Sequence, residues 1–260
     1  RDRSQLRPRR SGACCGARSP IRGGDDREPP VNSIETSAAQ ESGRSGFGYL
    51  LAALVFFLAT APFAGHTALG EFPFRALFTL VLLGGVATMR SRRKTLIAAG
   101  LAVPALAGHW IVSYAEIDNS QVFTYAVSAV FLFYITLAIL VALLSETQVT
   151  SDTVLGGVCV YLLMGVVWFM LYAVVLQIRP DAILANGEPL GASLAEAPAR
   201  LLYFSYATLT TLGYGDIVPN SPATQMLASA QAMTGQLFVA ILIARLVGMH
   251  IAGSTRNRTD

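Results

Sequence analysis

Between residues 48 and 249 the chain falls into six apolar stretches, at about 48–65, 73–89, 95–114, 121–144, 153–177 and 223–249. Each is near the ~20 residues that a helix needs to cross a bilayer. In hydrocarbon every backbone N–H and C=O must find a partner within its own segment, so stretches of this length fold as helices rather than as isolated strands. Composition agrees: 53% of the 260 residues are hydrophobic and 13% charged, with a mean hydropathy of +0.51, values typical of integral membrane proteins and not of water-soluble enzymes. The first stretch is the weakest, because Pro62 and Gly65 shorten its uninterrupted helix. The second follows after a short turn, as a helical hairpin requires.

Charge reports topology. Arg90, Arg92, Arg93 and Lys94 form the densest basic cluster among the spans and place that loop in the cytoplasm. Six spans then put both termini inside, in agreement with Arg44, Arg256 and Arg258, and the loop with Glu116 and Asp118 outside. The net charge of +3 is small and the basic residues are concentrated at the N-terminus and at a few loop positions, so no nucleic-acid partner is expected. The partner is membrane lipid.

Residues 1–46 are rich in Arg, Ser, Gly and Pro and lack apolar clusters. They read as a disordered N-terminal tail, either a cytoplasmic extension or translated upstream sequence, the first Met being Met89. Cys14, Cys15 and Cys159 make neither a disulfide framework nor a metal-ligand spacing, and Cys159 reads as a small packed residue. His66, His109 and His250 are far apart, and the carboxylates form no paired constellation. No enzyme activity and no cofactor are expected.

Residues 178–222, between the fifth and sixth spans, break the pattern. Pro198–Thr210 is helical in character and opens on a proline suited to a first helical turn. Its 13 residues give a helix of about 20 Å, too short to cross. Such a helix dips into the membrane and returns, a re-entrant path tolerated only where protein or water satisfies the backbone. The string Thr210-Thr211-Leu212-Gly213-Tyr214-Gly215-Asp216 follows directly. For successive carbonyls to face one axis, the backbone must alternate between ordinary and left-handed conformations, and Gly213 and Gly215 carry no Cβ to oppose this.

With that string, residues 153–249 resemble the helix, pore-loop, helix module of the potassium-channel superfamily. The resemblance covers somewhat over a third of the chain. It implies an all-α membrane protein with six transmembrane helices, the re-entrant pore helix and selectivity filter lying between the fifth and sixth. Its domains would be the tail 1–46, a four-helix region 47–150, the pore module 151–252 and a short C-terminal tail 253–260. Main-chain oxygens of Thr211, Leu212, Gly213 and Tyr214, on a strand completed by Gly215, would hold K⁺ as the permeant ion, and the Thr211 hydroxyl would add an oxygen at the inner end. Asp216 would sit at the outer mouth, with Glu188 and Glu196 as further loop carboxylates. Tyr203, Phe204 and Thr210 would support the filter, Tyr214 packing outward against the two aromatics. Gly235, twenty residues after Gly215, is either an inner-helix hinge or a close-packing site.

The departures are as informative. Leu212 stands where the family more often has Val or Ile. Ala207 stands where some bacterial members carry a Glu that hydrogen-bonds the aspartate after the filter. Thr95 to Ile178 contain no Arg or Lys, which excludes a voltage sensor of the arginine-bearing kind. Arg245 either lines the inner mouth or reaches for lipid headgroups. One filter strand cannot surround an ion, so three further copies are needed, giving a homotetramer. The resemblance thus implies passive K⁺ conduction across a plasma membrane, bacterial given the compact build. The alternative is a non-conducting regulatory or scaffold subunit.

Overall fold

The structure, a computed structural model, describes residues 47–61, 68–88, 91–115, 120–146, 150–192 and 197–256. The expectations for residues 1–46 (Arg44, Cys14 and Cys15 among them), for Pro62, Gly65, His66, Arg90, Glu116, Asp118, Glu196 and for 257–260 lie outside these residues.

The chain is mostly helical. Five helices come first: α1 (Phe47–Thr60), α2 (Ala68–Ala87), α3 (Arg92–Ala115), α4 (Ser120–Ser145) and α5 (Ser151–Ile178). Three helical segments are long and apolar enough to cross a membrane: Gln121–Ser145 in α4, all of α5, and Pro222–Met249 near the C-terminus. α1 and the Arg75–Ala87 part of α2 are apolar but shorter. α3 has the length, yet Arg92, Arg93 and Lys94 occupy its first turn and Pro104 interrupts its interior.

α4 lies between α3 and α5, while α2 packs on α3 and α4. α1 joins the same core through the fully buried Leu50, Leu54 and Phe57, the Phe57 ring centroid lying 5.9 Å from that of Phe78. The His109 ring sits 5.1 Å from Phe78 and is packed into this region. Cys159 is free and buried.

α5 begins at a reciprocal cap: the Thr150 hydroxyl accepts from the Thr153 amide at 3.3 Å, and the Thr153 hydroxyl accepts from the Thr150 amide at 3.3 Å. Having no basic or acidic residue beyond Asp152, it is apolar on every side and packs against α4 and against the two helices that follow.

The connection after α5 adds something the all-helical expectation lacks, a small three-stranded sheet. Its strands are β1 (Ile183–Ala185), β2 (Glu188–Pro189) and β3 (Ile217–Pro219), in the order β2-β1-β3 and antiparallel throughout. Asn186 and Gly187, with φ of 52° and 87°, make the tight turn between β1 and β2, the pairing of residues that such two-residue hairpins favour. α6 (Ala197–Leu209) follows, within a residue at each end of the expected helix and about 20 Å long. The last helix, α7 (Pro222–Arg256), runs on into the stretch expected as a tail. It starts with a second reciprocal cap, between Ser221 and Thr224.

Candidate functional site

α6 ends in a cascade of turns that converts helix into loop. The amide of Thr210 donates to Tyr206 O at 2.9 Å, that of Thr211 to Thr208 O at 3.0 Å and that of Leu212 to Ala207 O at 2.8 Å. The Thr210 hydroxyl donates to Tyr206 O at 2.8 Å and closes the same turn. The backbone then alternates: Thr211, Gly213 and Gly215 have φ of 59°, 58° and 80°, while Leu212 and Tyr214 between them stay outside the left-handed region. Two of the three left-handed positions are glycines, where the conformation is cheap, and the third carries a β-branched side chain that pays for it. Thr211 has local compensation, since its hydroxyl donates to Thr210 O at 2.7 Å and accepts from Gln236 Nε2 of α7 at 3.2 Å.

Residues 211–216 are exposed within a single chain, Leu212 by 54% and Tyr214 by 71%. Tyr203 and Phe204 therefore do not cover Tyr214 within one chain. Phe204 is buried with its edge on Tyr172, centroids 5.0 Å apart. Tyr203 instead turns to the far end of the loop and donates its hydroxyl to Asp216 Oδ1 at 3.2 Å. The carboxylate that lacks a partner at Ala207 thus finds one a turn earlier on the same helix.

Beyond Asp216 the chain is held by the sheet. The Asn186 amide donates to Asp216 O at 2.9 Å, and β3 pairs with β1 in the register Ala185↔Ile217, Leu184↔Val218 and Ile183↔Pro219. Ala182 O accepts from both the Asn220 amide at 2.8 Å and the Thr224 hydroxyl at 2.9 Å. The segment after α5 is therefore zipped along the exit of the loop and onto the start of α7. Asn186 was not singled out from the sequence, although Asn186-Gly187 between short apolar runs is a recognisable hairpin signal.

The entrance of the loop is fixed by contact with α7. A Cβ on Gly235 would collide with Leu209 O and come within 2.9 Å of Leu209 Cδ1. Gly235 thus lies in the middle of a continuous helix, at the point where the last turn of α6 touches it. Closer to the end of α7, Arg245 Nη2 donates to Leu144 O at 2.5 Å and to Glu146 O at 2.7 Å, which are carbonyls at the C-terminal end of α4. It caps that helix, as a cation at a helix C-terminus does favourably, a contact that the sequence expectations did not include.

The site holds no ligand cluster: among the described residues no group of three or more His, Cys, Asp or Glu side chains converges. It offers main-chain carbonyls, next to the C-terminal end of a short helix whose partial negative charge favours a cation.

Comparison with known proteins places the same segment. Residues 190–251 match the family described as "Ion channel", a family of channels and not of enzymes. "Two-pore potassium channel 1" of Arabidopsis thaliana is 50% identical over 44 residues, 17% of this chain and 12% of its own length. "Two pore potassium channel a" of Oryza sativa subsp. japonica is 44% identical over 45 residues, 17% of this chain and 13% of its own. "Two-pore potassium channel 4" of Arabidopsis thaliana is 40% identical over 55 residues, 21% of this chain and 19% of its own. The likeness thus spans under a fifth of these relatives' length. No solved structure matches. The chain is a mostly helical membrane protein with a segment similar to an ion-channel family and to potassium channels.

Proposed function

We propose that four copies of this chain surround a common axis and conduct K⁺ passively and selectively along residues 211–215. The observation that carries this reading is the alternating backbone at Thr211, Gly213 and Gly215, set between a short non-spanning helix and the start of α7. Alternation of this kind turns successive carbonyls toward one side, and cyclic symmetry closes four such strands into rings of oxygen. Oxygens of Thr211, Leu212, Gly213 and Tyr214 then replace the hydration shell of K⁺, while Na⁺, smaller and more costly to dehydrate, is rejected. Asp216 sits at the outer mouth and concentrates cations there.

In this reading α6 is re-entrant, and α1 to α5 and α7 form six spans in a plasma membrane with both ends cytoplasmic. α4 bears no arginine or lysine, so the transmembrane field has no sensor charge to move on that helix. Gly235 serves close packing against α6, and the relatives' printed names, all potassium channels, agree with the choice of ion.

The test is cation flux. In liposomes loaded with K⁺ and placed in Na⁺ medium, the full-length protein is expected to release K⁺ as soon as a protonophore compensates the charge. Release should not occur when the interior cation is Na⁺. Equal release of both ions would overturn the selective pore. No release from verified tetramers would favour a non-conducting regulatory subunit.

A further inference from the structure

We infer that Gln231 is a positioning residue for the ion-conducting loop, acting through a buried amide that bolts the pore helix α6 between α5 and α7. The inference rests on the function proposed above and concerns how that loop is held in shape. Gln231 is fully buried on a helix whose neighbouring side chains are largely exposed.

Its hydrogen bonds use both ends of the amide. Oε1 accepts from the Tyr172 hydroxyl of α5 at 2.8 Å. Nε2 donates to Ser205 O at 2.8 Å and to Ser205 Oγ at 2.9 Å on α6. The Ser205 hydroxyl then donates to Gly165 O of α5 at 2.8 Å, which closes the circuit. Tyr172 and Ser205 are fully buried as well. The orientation of the amide is forced, because the Ser205 carbonyl cannot donate and must therefore face nitrogen. Both donors of the NH₂ group are used, as are the hydroxyls of Tyr172 and Ser205, so no donor is left over where a missing partner would be costly.

Its place in the fold gives the network its effect. Ser205 lies one helical turn before Leu209, and Gln231 one turn before Gly235, whose missing side chain admits Leu209 O. The last turn of α6 is thus located twice against α7, by hydrogen bonds at Ser205 and by steric contact at Leu209. The loop leaves α6 at the next residues. A slide or rotation of α6 would break the Gln231 bonds together, so the amide fixes where the carbonyl cage begins.

The experiment measures the K⁺ to Na⁺ permeability ratio of the full-length tetramer in planar bilayers, with thermal unfolding beside it. Gln231→Leu is expected to lower the ratio about tenfold, the size of effect of unpairing a buried polar group. Tyr172→Phe, which removes one hydroxyl and keeps the ring, is expected to lower it about threefold. Ile135→Ala is the control, because Ile135 is fully buried in α4 and faces Gly85 of α2, so that its truncation leaves a cavity on the α2 side of the helix. It should lower the unfolding temperature and leave the ratio unchanged.

If both network variants keep the wild-type ratio while melting earlier, as the control does, Gln231 is only structural and the inference is overturned. If Gln231→Leu does not assemble, the ratio for Tyr172→Phe decides in the same two directions. An unselective wild type would overturn the proposed function itself, and with it any need for a residue that positions a selective loop.

Discussion

α5 and the first 28 residues of α7 are equal in length, both apolar, and both flank the same loop, yet 61% of the span window in α5 is buried within one chain against 6% of that in α7. α5 finds its partners inside its own sequence, α4 on one side and α6 and α7 on the other. α7 leaves Met226, Met233, Leu237 and Ile241 exposed, and with them the polar Thr234 and Gln236. Lipid would accept the apolar residues but is a poor solvent for an amide. A face of mixed character suits neighbouring copies and a water-filled cavity, which the proposed tetramer would supply to α7 and which α5 does not need.

The largest expected effect removes what the two helices hold between them. Gly213→Ala or Gly215→Ala forces a side chain into the left-handed region, at roughly 1–2 kcal/mol per residue in each chain. K⁺ flux should fall below detection while chemical cross-linking still captures tetramers; selective flux from either variant would remove these glycines from the conducting path. Next in its effect on conduction, Gly235→Val strikes the α6 contact on the α7 side, where overpacking costs about 1–3 kcal/mol. Earlier unfolding and reduced conduction are expected together, and an unchanged melting curve would show that α6 and α7 do not touch there.

A third prediction probes the contrast directly. In a background with Cys14 and Cys15 changed to Ser, which leaves only the buried Cys159, cysteines introduced one at a time at Leu237 or Ile241 should react with a water-soluble thiol reagent and block current. Cysteines at Val154 or Val158, on the exposed side of α5, should not react. Equal labelling on both helices would erase the distinction between them. The smallest effect belongs to Arg245→Ala, which uncaps α4 at a cost of about 0.3–1 kcal/mol. Unfolding should begin a few degrees lower with the selectivity untouched; a large change in conduction would move Arg245 from the end of α4 to the pore.

What could be read from the sequence was local. Length and hydropathy located Gln121–Ser145, Ser151–Ile178 and Pro222–Met249 to within two residues of the expected stretches, and a proline followed by an amphipathic segment located α6. Those signals act within a few turns of one helix. Gln231 was passed over because a lone amide in an apolar run has no local signature, and its meaning lies in Tyr172 and Ser205, 59 and 26 residues away. The contacts of Arg245 were hidden for the same reason, since its acceptors on Leu144 and Glu146 are about a hundred residues distant. The hairpin at Asn186-Gly187 was legible by its turn chemistry, but its pairing with β3 was not, because a three-residue strand is too short to show alternation.

The central claim is that the alternating loop is selective for K⁺ when four chains assemble. Its most direct test is the reversal potential of the full-length protein in a planar bilayer with K⁺ on one side and Na⁺ on the other. The account predicts a reversal displaced far toward the K⁺ equilibrium potential and independent of the voltage history. A current reversing near zero would mean that both ions pass alike, and that these carbonyls do not form the cage.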